Sequence, residues 1–166
     1  FVLPMAIDRG SMMLVRPRSD RRVILYTTMF DERSSFNIDE LEKASMGWVE
    51  YPKGMAWALR EEGFDLKGWE AVVSCDIPVG AGLSSSASFL MAVARVFALT
   101  SGFGWEPKAM ALLAQKAENG WVGVNCGIMD QMICATAETG HAILLDCRSL
   151  ETRAVPLPPG MAVVVL

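Results

Sequence analysis

A segment rich in glycine and serine, PVGAGLSSSAS at residues 78–88, has the composition of a phosphate-binding loop. Gly80 and Gly82 have no side chains, so the backbone beside them could approach a ligand closely. The serines at 84–86 precede an apolar stretch and are placed to begin a helix. The first amides of a helix lack intrahelical partners and its dipole favours negative charge, while hydroxyls can bind phosphate oxygens or a metal ion. We therefore predict an anion site at this turn.

The simpler interpretation of the same residues is a glycine turn followed by a serine helix cap. Two better-known nucleotide motifs do not match: the GxxxxGK[ST] pattern is missing, and so are the third glycine and the later acidic residue of a dinucleotide-binding fold. A Ser-His-Asp hydrolase is disfavoured, because His141 is the only histidine and no GxSxG motif accompanies the serines. A phosphate site of another kind and a structural turn remain as the two hypotheses.

The neighbouring elements would place this segment between a strand and a buried helix. Residues 69–77 predict a strand that ends at Pro78. Residues 87–99 are apolar nearly all round, which is typical of a helix enclosed by the rest of a domain. Further helices are predicted at residues 107–118, which begin with a proline, and at residues 128–138.

Strands are predicted towards both ends of the chain. The strands predicted at residues 1–7, 11–16 and 23–29 are expected to form an antiparallel run. A helix is predicted at residues 39–62, with a break near Pro52 and Gly54 and with Gly63 as its C-terminal cap. Strands, then helices, then strands favour an α+β fold over regular βαβ units. The predicted strands outside residues 69–77 are residues 1–7, 11–16, 23–29, 141–146, 152–157 and 161–166.

The composition predicts one domain with a sizeable core. The 166 residues are 52% hydrophobic and 20% charged, with a mean hydropathy of +0.30, which excludes disorder and coiled coil. A net charge of −4 without a basic patch argues against a nucleic-acid partner. The most apolar stretch contains Arg95 and is shorter than the roughly 20 residues that a bilayer requires, so no membrane partner is expected. Four widely spaced cysteines fit a reducing cytoplasm.

Several stretches resemble the galactokinases, a family within the GHMP kinases. The glycine–serine segment is similar to the second motif of that superfamily. Residues 118–131 (ENGWVGVNCGIMDQ) and 141–151 (HAILLDCRSLE) are similar to galactokinase stretches that occur in this order, and FVLPMAID at residues 1–8 resembles the stretch after the family's first sugar-binding motif. The resemblance covers residues 1–166 and implies a GHMP kinase N-terminal domain, with a mixed sheet packed against helices.

ATP, Mg²⁺ and a sugar are the ligands that this resemblance implies. The glycine–serine segment would wrap the ATP phosphates, and Trp48, next to Tyr51, would stack on the adenine. Ser86 and Glu118 would contact Mg²⁺, a hard cation that prefers oxygen ligands and keeps several waters, so that two protein oxygens suffice beside the phosphates. The implied ATP-binding residues are Gly80, Ala81, Gly82, Leu83, Ser84, Ser85, Ser86 and Trp48.

Asp130 is the implied catalytic residue. It matches the family's aspartate beside the anomeric hydroxyl of galactose, and the Gly127 backbone would also touch the sugar. A carboxylate at this place could accept the O1 proton or orient the nucleophile electrostatically, and both roles stay open. Without the resemblance, the simpler interpretations are a helix N-cap for Asp130, an exposed position near a helix end for Glu118, and a core position for Trp48.

The implied reaction is the transfer of phosphate from ATP to galactose, which gives galactose 1-phosphate and ADP. Asn119 stands where many galactokinases carry His, so a kinase for galacturonate or arabinose is one alternative. A non-catalytic sugar sensor on the same fold is another, although the serines at 84–86 and Asp130 favour an enzyme. The family's first motif would precede Phe1, and its third motif and C-terminal domain would follow Leu166. The isolated chain is therefore expected to have little or no turnover.

Overall fold

The main sheet of the protein is mixed and has four strands. The computed structural model describes residues 1–44, 47–78 and 80–161. The strands of the sheet are β1 (Ser11–Pro17), β2 (Arg22–Thr27), β3 (Glu32–Asn37) and β4 (Trp69–Cys75). They lie in the order β1-β4-β2-β3, with β4 antiparallel to β1 and parallel to β2, and with β3 antiparallel to β2. Leu25 of β2 is paired with Ala71 of β4, and both are buried under the helices.

Four helices and a π-helical segment follow or interrupt the strands. They are α1 (Glu50–Glu61), α2 (Ser85–Ser101), α3 (Pro107–Lys116), the π-helical segment Ala117–Val122, and α4 (Met129–Thr136). Helix α2 contacts β1, β4 and the other three helices, so it is the centre of the domain. Its residues are apolar on nearly every face, and Phe97 packs edge-on against Trp69 of β4 with ring centroids 5.3 Å apart. The predicted α+β fold, with a mixed sheet packed against helices, is confirmed.

A separate antiparallel hairpin consists of β5 (His141–Leu145) and β6 (Thr152–Pro156). The sequence predicts both strands, and the structure adds their pairing. The start of the chain runs along β5, where Val2 bridges Leu145 and a second bridge follows at Met5. Residues 1–7 do not form a regular strand, so that prediction is wrong. Of the strand predicted at residues 161–166, residues 162–166 lie outside the described residues.

The predicted antiparallel run at the N-terminus is also wrong in its pairing. Strand β4 lies between β1 and β2, which therefore have no direct ladder. The apolar pattern of a strand predicts how much of it is buried but not which strand lies beside it. Strand β3 went unpredicted because it is a polar edge strand in which Phe36 is the buried residue.

Helix α1 begins at Glu50, about ten residues later than predicted. Pro52 causes no break, because it lies in the first turn, where its missing N–H would have no partner within the helix. Gly54 lies against Trp121, since a Cβ there would be 3.0 Å from the Trp121 Cβ. Gly63 has φ of +85° and its N–H bonds to Arg60 O, so it ends the helix as predicted. Within the described residues, no helix has both the length and the hydropathy needed to cross a bilayer.

Candidate functional site

The loop between β4 and α2 has an unusual backbone. Gly80 and Gly82 have φ of +77° and +70°, and Ser84 has φ of +60°, so every second residue is left-handed. Among the described residues, a Cβ on either glycine would meet no atom within 4 Å, so the backbone angle rather than crowding favours glycine here. A left-handed serine costs energy, and such residues concentrate at functional sites. The loop therefore adopts an alternating left-handed backbone and borders open space.

The N-terminus of α2 presents unpaired polar groups to its surroundings. Ser84 is the N-cap residue, as the sequence predicts, but its side chain makes no capping bond. Among the described residues, none forms a hydrogen bond with the side-chain hydroxyls of residues 84–86. The first turn of this 17-residue helix contains no acidic residue, so its positive end is not neutralised locally. Free amides, free hydroxyls and a positive dipole suit an anion.

A cavity of about 540 Å³ lies between this loop, the start of the chain and α4. Gly82, Leu83 and Ser84 line it from one side, and Asp130 lines it from the first turn of α4. The phosphate-binding loop and the catalytic carboxylate implied by the sequence therefore face the same cavity. Gly80, Ala81 and Gly127 are exposed and do not line it.

The environment of Asp130 is that of a group available to a ligand. The N-cap residue of α4 is Ile128, so Asp130 does not fill the N-cap position that the simpler interpretation gave it. Its side chain is half-buried, and among the described residues no group donates a hydrogen bond to its carboxylate. Its negative charge lies in the first turn, where the helix dipole favours it.

Two arginines also line this cavity, and sequence reasoning did not identify them as site residues. Arg9 is paired with Asp76 at 3.8 Å, and the Arg95 guanidinium lies 4.9 Å from the ring centre of Trp105. The sequence gives no motif for either one, because they come from distant segments and converge only in the fold. They add two guanidinium groups to the cavity that Asp130 also lines.

A second cavity of about 150 Å³ lies on the other side of the start of α2. Ser85 and Ser86 line it together with the aromatic side chains of Trp48 and Phe89, whose ring centroids are 6.4 Å apart. The Trp48 indole N–H donates to Glu32 Oε2 at 2.7 Å, which fixes the plane of the ring. The helix N-terminus is thus shared between an apolar, aromatic cavity and the larger cavity that contains Asp130.

Glu118 lies in the π-helical segment and is only 3% exposed, so the interpretation of an exposed helix end does not apply. It lines neither cavity, and its Oε2 accepts a hydrogen bond from Gln131 Nε2 at 2.7 Å. Burial raises the pKa of Tyr51, which lines the second cavity, and the charge of Glu118 adds to the shift. The same two causes raise the pKa of Cys126. The charge of Glu118 therefore acts on a residue of the aromatic cavity.

The donor set around Glu118 fits a hard cation in one respect. Gln131 is 1% exposed, and its Oε1 finds no donor among the described residues. The Glu118 carboxylate and the orphaned amide oxygen of its partner Gln131 are oxygen atoms of the kind that Mg²⁺ or its bound waters prefer. The geometry does not place Ser86 and Glu118 in one cavity lining, and within the described residues no cluster of three or more acidic, Cys or His side chains forms a metal site.

The loop before α4 is held by side-chain amides. Asn119 accepts a hydrogen bond from the Cys126 N–H at 3.0 Å, and its own Nδ2 donates to the Cys126 carbonyl at 3.3 Å. Gln115 Nε2 donates to the same carbonyl at 3.1 Å. Both backbone groups of Cys126 are thereby satisfied just upstream of Asp130. No motif in the sequence indicates this role for Asn119.

Known proteins are similar to this chain in both sequence and architecture. The family profile described as GHMP kinases N terminal domain matches residues 50–138, more than half of the chain. A galactokinase of Roseiflexus sp. (strain RS-1) is 46% identical over 165 residues, which cover 99% of this chain and 42% of that protein. A galactokinase of Thermococcus kodakarensis is 42% identical over 165 residues, with 99% and 46% covered. The chain thus spans less than half the length of the curated relatives it matches.

Solved structures agree with these matches. A structure of Lactococcus lactis galactokinase complexed with galactose superimposes with a TM-score of 0.89 at 37% identity, over 93% of this chain and 41% of that one. Mevalonate kinase of Methanococcus jannaschii superimposes with a TM-score of 0.71 at 19% identity, over 91% of this chain and 47% of that one, and so shares the fold. Because the family profile covers more than half of its residues and the fold agrees, this chain belongs to the GHMP kinases.

Proposed function

We propose that the full-length protein is an ATP-dependent galactokinase, which phosphorylates galactose at the anomeric hydroxyl and yields galactose 1-phosphate and ADP. One observation carries the proposal: the left-handed loop at the start of α2 and the Asp130 carboxylate line the same cavity of about 540 Å³. Phosphoryl transfer requires a phosphate cradle and an acceptor-orienting group that face each other across the substrate. The relatives named galactokinase support galactose as the acceptor.

Residues 80–86 would hold the phosphates of ATP. The free amides and the positive end of α2 would stabilise the charge on the moving phosphoryl group, and the hydroxyls of Ser84, Ser85 and Ser86 would bind its oxygens. Because the loop is already left-handed at Gly80, Gly82 and Ser84, it needs no rearrangement to expose its amides. In phosphoryl transfer, such positioning and neutralisation of charge account for most of the protein's contribution.

The adenine would occupy the aromatic cavity, where Trp48 offers a ring face held in place by its bond to Glu32. Ser86 lines the same cavity and would contact Mg²⁺ together with Glu118, whose charge already reaches Tyr51 in the cavity wall. When bound, the cation would neutralise phosphate charge, and the two protein oxygens would leave room for phosphate and water ligands.

Asp130 would orient the sugar or accept its O1 proton. Its carboxylate has no hydrogen-bond donor among the described residues, so a sugar hydroxyl could take that place. The Gly127 backbone would add a contact to the sugar. Arg9 and Arg95, which line the same cavity, would favour the negative charge of the transferred phosphate.

The experiment is a substrate panel on the full-length protein with ATP and Mg²⁺. Galactose, galacturonate and arabinose are compared, and ADP formation is measured together with the sugar phosphate by mass spectrometry. The proposal expects the highest kcat/KM for galactose. Preference for galacturonate or arabinose would move the protein to another sugar 1-kinase, and sugar binding without turnover would identify a sensor; either result overturns the proposal. The 166-residue chain alone is expected to give no measurable turnover.

A further inference from the structure

Side-chain hydrogen bonds tie the π-helical segment to the chain on each side of Asp130, in addition to the backbone bonds from Gly123 and Val124 to the Glu118 carbonyl. Before the helix, the Asn119 side chain bonds both backbone groups of Cys126, at 3.0 and 3.3 Å. Inside the first turn of the helix, Gln131 Nε2 donates to Glu118 Oε2 at 2.7 Å. The Asp130 carboxylate makes no hydrogen bond within the described residues, so its place is set by the backbone that carries it.

The tie through Asn119 is the more specific of the two. A primary amide can accept from an N–H and donate to a C=O at the same time, and the side chain of Asn119 does so with one residue, in the manner of an added strand. Alanine at position 119 would leave the N–H of Cys126 without a partner among the described residues. The Cys126 carbonyl would keep its hydrogen bond from Gln115 Nε2. The segment 123–127 is mostly exposed, and its start is held by backbone bonds from Gly123 and Val124 to the Glu118 carbonyl.

We infer that Asn119 is a positioning residue: its amide clamps Cys126 and thereby fixes the entry into α4 and the distance between Asp130 and Glu118. The inference rests on the proposed function, because it assigns Asp130 and Glu118 to the sugar and the metal. Asn119 touches neither ligand in this account and acts through the backbone. Misplacement of a reacting group by about 1 Å can cost about 100-fold in rate, so such a clamp would matter for turnover.

The first measurement is independent of catalysis. Amide hydrogen exchange at Cys126 is compared among the wild-type full-length protein, Asn119→Ala and Asn125→Ala, by NMR or by mass spectrometry with residue-level fragmentation. Asn125 is a matched control in the same segment, because it is exposed and its side chain forms no hydrogen bond within the described residues. We expect exchange to be about tenfold faster in Asn119→Ala and unchanged in Asn125→Ala. Equal exchange in all three proteins would overturn the clamp.

The second measurement separates positioning from stability. In Asn119→Ala, kcat should fall about 10- to 100-fold while KM for galactose changes less than threefold and the melting temperature falls by only a few degrees. Asn119→Asp keeps an acceptor for the Cys126 N–H, so amide exchange at Cys126 should stay near that of the wild type. The kcat of Asn119→Asp should lie between those of the wild type and Asn119→Ala. Faster exchange in Asn119→Ala with an unchanged kcat would overturn the positioning role.

The two proposals fail in different ways. If the wild-type protein phosphorylates no galactose, the proposed function fails, and the exchange experiment still decides whether the clamp exists. If the wild type is active and Asn125→Ala loses as much kcat as Asn119→Ala, the segment is sensitive to any change and the assignment to Asn119 is overturned. If only Asn119→Ala loses kcat and exchanges faster, both proposals stand.

Discussion

Gln131 Nε2 lies 2.7 Å from Glu118 Oε2, and the two side chains are 1% and 3% exposed. The bond joins the first turn of α4 to the π-helical segment, a type of helical irregularity that is frequent at functional sites. A buried carboxylate with a single side-chain donor is costly unless other groups or ions satisfy it. The pair therefore links α4, which carries Asp130, to Glu118, the residue that we propose contacts Mg²⁺.

We predict that Glu118→Gln keeps the protein folded but impairs its use of Mg²⁺. The new amide oxygen can still accept from Gln131, whereas the negative charge that would attract the cation is gone. The Mg²⁺ concentration for half-maximal activity should rise about tenfold or more. The measurement is a Mg²⁺ titration of initial rates on the full-length protein. Glu138→Gln, which neutralises an exposed carboxylate beyond the end of α4, is the control and should behave as the wild type. An unchanged Mg²⁺ dependence in Glu118→Gln would remove Glu118 from the metal site.

Asp130→Asn tests the proposed catalytic role. The substitution preserves shape, and since the Asp130 carboxylate has no hydrogen-bond partner within the described residues, the melting temperature should change little. Loss of the carboxylate should reduce kcat by about 100- to 10,000-fold, the usual range for a positioned acid–base group. Steady-state kinetics and thermal denaturation are measured on the same preparation. A variant that retains more than about a tenth of wild-type kcat would contradict both the base and the orienting role.

The strongest sequence patterns were local, and the structure confirms them. Helix α2 and its glycine–serine start were predictable, because an apolar helix and a glycine loop are determined by adjacent residues. The pairing of the strands was harder to predict from the sequence. Strand β4 lies between β1 and β2, and the sequence of a strand does not indicate which strand lies beside it. The polar edge strand β3 lacked the apolar alternation that would have predicted it.

At the candidate site, too, local motifs could be predicted from the sequence, whereas contacts between distant segments could not. Gly82, Ser84 and Asp130 could be proposed from motifs, and the fold brings them to one cavity. Arg9 and Arg95 could not, because their convergence depends on how the start of the chain and α2 are placed in space. The π-helical geometry around Glu118 was also beyond prediction, since the pattern of residues 107–118 is that of an ordinary helix that continues to Glu118.

The turn between β1 and β2 predicts an acid-sensitive component of stability. Hydrogen bonds from the Arg18 guanidinium to both oxygens of Asp20 lower the pKa of this carboxyl from 3.8 to about 2. Well above pH 3.8, Asp20 is charged in the folded and the unfolded chain, and its contribution is complete. As the pH falls from 3.8 to about 2, the unfolded chain binds the proton first, so this stability is lost.

Asp20→Asn should remove that component. The urea midpoints of the wild type and the variant are measured from pH 6 to pH 2 at low salt. The wild type should be the more stable protein at pH 6, and the difference should shrink as the pH falls below 3.8. Because Asp20 is exposed, 0.5 M NaCl should also reduce the difference. A difference that stays constant over the whole pH range would show that the Arg18 pair contributes no pH-dependent stability.

Gly82→Ala is expected to weaken ATP use through the backbone. Gly82 has φ of +70°, and a Cβ there would meet no atom within 4 Å, so alanine adds conformational strain without a clash. A left-handed alanine costs about 1–2 kcal/mol, and the loop can escape this cost only by leaving the conformation that exposes its amides. We expect KM for ATP to rise severalfold, with KM for galactose less affected. Gly104→Ala is the matched control, because Gly104 also has open space but no left-handed φ. If both alanine variants show the same KM for ATP, the left-handed turn at Gly82 has no part in binding the nucleotide.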